Sequence, residues 1–166
     1  MKIPEWIKTT LSVILLTLII IVGFLMQPKA IKQTPKVFTE QSPVLLSPVF
    51  DRSFTIGNKR IQVAFANTPE LQEQGLSNTA PLTDEQGMLF MFPTETTPSF
   101  WMKDMTYAID IIWIDAGKKV VDITPNLDPQ TFPKSFTPVS PIQFVLEVPD
   151  GFAEKNSIEI GTKVKF

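Results

Sequence analysis

The chain contains no cysteine and no histidine, and these two absences remove more chemistry than any motif adds. Without Cys there is no disulfide, thiol nucleophile, Cys-ligated zinc or lipid-bearing Cys anchor. Without His, a Ser-His-Asp triad and any His metal site are impossible within one chain. A metal would have to be a hard cation held by Asp, Glu and carbonyl oxygens, and acid–base work would fall to carboxylates, Lys or Tyr. No metal site, catalytic residue or cofactor is expected. Basic charge is not in excess either: the formal net charge is −2, and no Lys/Arg run is interleaved with aromatics. Nucleic-acid binding has no electrostatic footprint here.

What is present divides the 166 residues into three parts. Thr9 to Met26 reads TTLSVILLTLIIIVGFLM without a charge. At ~1.5 Å rise per residue this run reaches roughly 27 Å, close to the ~30 Å hydrocarbon core of a bilayer. Trp6 and Lys8 suit the interface beside it. A soluble amphipathic helix would show a polar face, and this run has none. Residues 1–26 are therefore expected to be a membrane anchor, with residues 9–26 in the bilayer. A cleavable signal peptide is the alternative, but the apolar run exceeds the usual ~7–15 residues and no clean small-x-small site follows it. Lys2 and Lys8 precede the run and Lys29, Lys32 and Lys36 follow it, so Lys bias leaves the orientation open. A short tail before a first apolar segment ordinarily stays inside, which favours an extracytoplasmic domain.

Residues 27–52 carry Pro28, Pro35, Pro43 and Pro48 among Thr, Gln, Ser and Lys. Proline at that density opposes regular helix or central strand and reads as a semi-extended spacer. From Ser53 the pattern becomes short strands. Arg60 to Ala66 alternates, with Ile61, Val63 and Phe65 on one face. Thr68-Pro69-Glu70 starts a short helix with a Thr cap and Pro at its first position, and Gly75 ends it. Met88 to Phe92 reads as a strand. Ser99–Lys103 and Ala108–Asp115 read as a hairpin joined by residues 104–107. A second turn at Ala116-Gly117, with Gly supplying a positive φ, leads into Lys119–Ile123. Residues 124–141 contain five Pro and read as irregular loop; Gln143–Val148 and Thr162–Phe166 read as the last strands. Residues 53–166 are thus expected to be an all-β domain with one or two short helices, a jelly-roll-like sandwich or a partly closed barrel.

Three separated blocks carry a resemblance: QGLSNTAPLTDEQGMLFMFP, FWMKDMTYAIDIIWID and VLEVPDGFAEKNSIEIGTKVKF. In order and spacing they resemble the bacterial and archaeal family catalogued as domain of unknown function 192, over about Ile61 to Phe166. The resemblance implies a compact β-rich fold of barrel or jelly-roll type, often exported, and no established activity. An Arg is common in the family shortly after its Gly-Leu-Met step, whereas here Gly75-Leu76 is followed by Ser77-Asn78. The family's Trp-Met-Lys-Asn stands as Trp101-Met102-Lys103-Asp104, and its Pro-Leu-Asp as Ala108-Ile109-Asp110.

Single charges inside apolar strands mark the candidate site, because buried polar groups are the informative exceptions in a core. In a symmetric 99–115 hairpin, Trp101 faces Asp110 and Lys103 faces Ala108, which makes Lys103 the diagonal neighbour of Asp110. One reading is a partly buried Lys103–Asp110 pair that fixes strand register. The other is a binding cluster walled by Trp101 and Tyr107 and joined by Asp104 or Glu147. A Ser99–Lys103 dyad fails, since four residues of strand span ~13 Å. A hydrolytic carboxylate pair needs ~5–10 Å, a spacing the sequence does not fix for Asp104, Asp110 and Glu147. Phe90, Phe92, Phe100 and Trp113 are expected in the core. The partner of the domain is then the membrane, through residues 9–26, together with a small molecule or envelope component. The functional expectation is a membrane-tethered, non-catalytic binding or interaction module, with a carboxylate/Lys hydrolase of the envelope, or a structural envelope protein, as alternatives.

Overall fold

The computed structural model describes residues 47–166 and, before them, Pro4 alone. The proposed anchor and residues 27–46 of the spacer lie outside the described residues. Among the described residues no helix is long and apolar enough to cross a membrane.

Alternating burial starts the fold. Strands β1 (Arg52–Ile56) and β2 (Lys59–Ala66) form an antiparallel hairpin in which Ile56 faces Lys59. Gly57 makes the turn at φ 56°, a conformation that costs a residue without a Cβ little. Phe54, Ile56, Ile61 and Val63 all point to one buried face, as the alternation predicts. Helix α1 (Pro69–Gln74) follows, with Thr68 accepting from the Leu71 N–H and Gly75 ending it at φ 51°, as the capping residues predict. The chain then enters β3 (Gln86–Thr96), which pairs parallel to β2. This strand outruns the expected Met88–Phe92 segment. Its pairing shifts register between Met91 and Thr96, around Pro93, which has no N–H to give a ladder.

The expected 99–115 hairpin does not form. Strand β4 is only Phe100–Trp101 and leaves the main sheet. It pairs with β7 (Ser135–Phe136), Phe100 opposite Phe136 and Trp101 opposite Ser135. Strand β5 (Ile109–Ile114), buried at all six positions, lies between β6 (Val120–Leu127) and β8 (Ile142–Pro149). The physical reason is burial on both faces: a strand of this kind needs two long apolar neighbours, and the short 100–103 segment cannot supply one. Residues 124–141, read as loop, hold the end of β6, a 3₁₀ turn at Pro129–Thr131 and β7. At the β5–β6 turn the positive φ belongs to Lys118 (59°) and not to Gly117. The Asp115 carboxylate organises that turn by accepting from the Lys119 N–H at 2.8 Å.

Seven strands make one curled sheet in the order β6-β5-β8-β3-β2-β1-β9, where β9 is Val164–Lys165. Its two ends meet. The Val120 N–H donates to the Thr162 carbonyl at 2.9 Å, and the Gly161 N–H to the Val120 carbonyl at 2.7 Å. The result is an all-β half-barrel with few short helices, and not two facing sheets. Its concave side holds Phe54, Leu89, Ile112, Leu146 and Val148, closed by helix α2 (Phe152–Lys155). Its convex side carries Ala64, Met88, Phe90, Ile111, Trp113 and Val145, with Leu71, Phe100 and Phe136 packed against them.

Candidate functional site

Two charged side chains are buried among the described residues, Asp110 and Glu147, 0% and 6% exposed. The sheet register separates them. On β5 and β8, Asp110 faces Val148 and Ile111 faces Glu147. Directly opposed residues share a face and successive residues alternate, so the two carboxyls stand on opposite faces of the sheet. A carboxylate pair made of Asp110 and Glu147 is not built.

Asp110 points to the concave side and is fully used. One oxygen, Oδ1, accepts from the Asn126 N–H at 3.0 Å and the Gly151 N–H at 3.2 Å. The other, Oδ2, accepts from the Ala153 N–H at 2.9 Å. The helix α2 N-terminus, whose cap Gly151 has no side chain to donate or accept, is thus capped from a strand distant in sequence. The expected Lys103–Asp110 pair is corrected: Lys103 is exposed, and Asp110 is satisfied by three backbone amides. Because β4 pairs with β7, nothing brings Lys103 to the diagonal position. The backbone of this loop does the joining instead. The Lys103 carbonyl accepts from Ser77 Oγ at 2.9 Å, and the Asp104 carbonyl from the Asn78 N–H at 2.8 Å. Asp104 itself is exposed and left-handed, at φ 55°.

Glu147 points to the convex side, in the row Met88–Glu147–Ile111 across three strands. Neither neighbour has a side-chain donor. Its Oε2 is buried without a hydrogen-bond partner among the described residues, and burial raises its pKa to about 8. Glu147 forms part of the wall of a cleft of about 260 Å³. One side of this cleft is α1 and its exit, from Gln72 to Ser77; the other is Pro98 to Trp101, with Met105. Phe90 and Phe92 of β3 also line it.

Local sequence explains each wall. Gln72 Nε2 donates to the Ala66 and Met91 carbonyls at 3.2 and 2.8 Å, which holds α1 over the sheet. At Gly75 a Cβ would stand 3.3 Å from Phe90 Cζ, so glycine permits both the φ and the approach. Phe100 is edge-on to Phe90 at 4.8 Å and to Trp113 at 5.5 Å, favoured aromatic geometries. Trp101 is 53% exposed at the rim and edge-on to Phe132 at 6.4 Å. Tyr107, half-buried, shares a 2.8 Å hydrogen bond with the Thr79 hydroxyl. Burial raises its pKa, the Thr79 bond lowers it and the Glu147 charge raises it.

Of the six residues singled out in the sequence, Trp101 and Glu147 line one cleft and Tyr107 lies within the field of Glu147. Lys103, Asp104 and Asp110 do not line it. Sequence reasoning missed Gln72, Gln74, Ser77 and Ser99 as lining residues; the Gly75-Leu76 step, a helix end followed by small polar residues, was the available signal. Phe90, Phe92 and Phe100 are packed as core and also face the cleft. Among the described residues no group of three or more Asp or Glu could hold a metal ion.

A curled β half-barrel with a lone buried carboxyl in an aromatic-walled cleft defines a class by architecture and not by reaction. The chain belongs to the DUF192 family, described as "Uncharacterized ACR", whose pattern matches residues 52–166. It is 32% identical over 109 residues to the UPF0127 protein PF1050 of Pyrococcus furiosus, covering 64% of this chain and 88% of that one. A crystal structure of a protein of unknown function from Novosphingobium aromaticivorans shares the fold at TM-score 0.66 and 25% identity, over 73% of this chain and 94% of that chain. A Sinorhizobium meliloti protein that carries a provisional transcription-regulator name matches at TM-score 0.66 and 21% identity, over 72% and 95%. At that identity the likeness shows the fold alone.

Proposed function

We propose that this chain is a membrane-tethered, non-catalytic binding module, held outside the cytoplasm by residues 9–26 and displayed on the Pro-rich spacer. A tether of this kind confines a domain near a surface and gives it reach. The observation that carries the binding role is the Glu147 carboxyl, buried and without a partner at Oε2, in a cleft walled by Phe90, Phe92 and Phe100. A buried unpaired acid is costly, and a fold that keeps one at the wall of a mostly pre-formed cleft is built for a ligand more than for stability. The hydrolase alternative cannot draw on an Asp110–Glu147 pair, because Asp110 serves the opposite face of the sheet.

Two measurements test the proposal. Full-length protein should fractionate with membranes and resist alkaline salt extraction; release by that wash would refute the anchor. A fragment screen followed by NMR should place hits on Gly75–Ser77 and Trp101 resonances. Hits scattered over the surface, with none at these residues, would refute the binding site.

A further inference from the structure

Resting on that binding role, we infer that the cleft takes a small organic cation, an alkylammonium or alkylguanidinium, with its head on Glu147 and its alkyl part against Phe92, Phe100 and Trp101. The charge inventory of the cleft is one-sided. Its ionisable side chains are Glu147 at the wall and Glu73 on α1, and no Lys or Arg lines it. The strands around Glu147 present Met88, Phe90 and Ile111, none of which donates a hydrogen bond. A ligand that supplies an N–H donor and positive charge therefore meets the one Glu147 oxygen that has no hydrogen-bond partner among the described residues. Aromatic faces attract such a cation as well, and Trp101 stands half exposed at the entrance, where a ligand can slide under it.

Binding should move a proton. In the empty cleft the Glu147 carboxyl titrates near pH 8 because burial disfavours its charge. A cation beside it reverses that preference, so the carboxyl ionises and its proton passes to solvent as the ion pair forms. The other titratable groups facing it are Glu73 from α1 and Tyr107 from the loop after β4. Tyr107 has its pKa raised from 10.0 and stays neutral through this range.

The test is calorimetry on the full-length chain in mild detergent with n-propylguanidinium and n-propylammonium chlorides, using n-propylurea as the neutral isostere. Affinity for the cations should rise about tenfold per pH unit below about pH 8 and then level. About one proton should be released per site near pH 6.5, read from two buffers of different ionisation heat. Glu147→Gln should abolish cation binding while its melting curve shows a folded domain. Trp101→Ala, a change at an exposed rim residue, should weaken binding several-fold. Equal binding of n-propylurea, pH-independent cation binding, or unchanged affinity in Glu147→Gln would each overturn the inference. If the cations do not bind although the fragment screen gives hits in the cleft, the cation assignment fails and the binding site stands. If both fail, the cleft is not a ligand site.

Discussion

Replacing Glu147 by Gln should stabilise the protein at neutral pH, and the size of the effect follows from one buried carboxyl. The unfolded chain ionises Glu147 near 4.5, while the folded domain holds its proton up to about 8. Between those values the native state binds one more proton than the unfolded state, so stability falls as pH rises. The contribution is fully present below about 4.5 and is lost as pH passes through about 8. Each unit of separation corresponds to ~1.4 kcal/mol, so the whole loss is on the order of 4–5 kcal/mol, with about 3 kcal/mol of it already lost at pH 7. That is a large share of the ~5–15 kcal/mol that typically separates folded from unfolded domains. Gln has nearly the shape of the protonated acid and cannot ionise, so its curve should be flat over the same window. Denaturant unfolding of the full-length chain at several pH values, followed by the near-UV signal of buried Trp113, gives the comparison. Glu70 and Asp84 have lowered pKa values and act below this window; both are exposed, where screening leaves little effect. Parallel wild-type and Glu147→Gln curves between about pH 5 and 8 would refute the reasoning.

Three further changes separate the remaining roles. Asp110→Ala leaves the amides of Asn126, Gly151 and Ala153 without their acceptor and should cost at least about 3 kcal/mol in denaturant unfolding; a loss below about 1 kcal/mol would mean that water replaces the carboxylate. Lys103→Met alters an exposed side chain that takes no part in holding Asp110, so thermal melts should move by the equivalent of less than about 0.5 kcal/mol, and a large loss would restore the pairing that the structure rejects. Gly87→Ala places a Cβ 3.0 Å from the Glu147 carbonyl oxygen, 3.1 Å from Leu146 Cδ1 and 3.2 Å from Ile61 Cδ1. Because one of those neighbours is central-sheet backbone, the change should destabilise by about 1–3 kcal/mol, and an unchanged unfolding midpoint would contradict the packing.

Local rules were enough where the signal was local. The Thr68-Pro69 helix start, the Gly75 stop and the alternation of Ile61, Val63 and Phe65 each depend on neighbours a few residues away, and each is found as expected. The missing His and Cys excluded whole classes of chemistry before any fold was known. Of the lone charges expected in apolar strands, Asp110 is buried and Lys103 is exposed, while Glu147, named only as one of two acids that could join the cluster, is the second buried charged side chain among the described residues. Their roles were not legible, because role depends on which strand lies alongside. A hairpin between adjacent segments was the economical guess for residues 99–115, since its loop is short. The structure instead gives β5 two distant partners, β6 and β8, and sends β4 to β7. Burial of β5 on both faces outweighs the entropy of closing longer loops, which grows only slowly with length. That one choice sends Asp110 to the concave side, where backbone amides satisfy it, and Glu147 to the convex side, where its Oε2 has no hydrogen-bond partner among the described residues. Local pattern was enough to show a β-rich chain with one acid, Asp110, inside an apolar strand. Only the tertiary structure decided which acid caps a helix and which lines a cleft, because the face of a sheet is assigned by long-range register and not by local pattern.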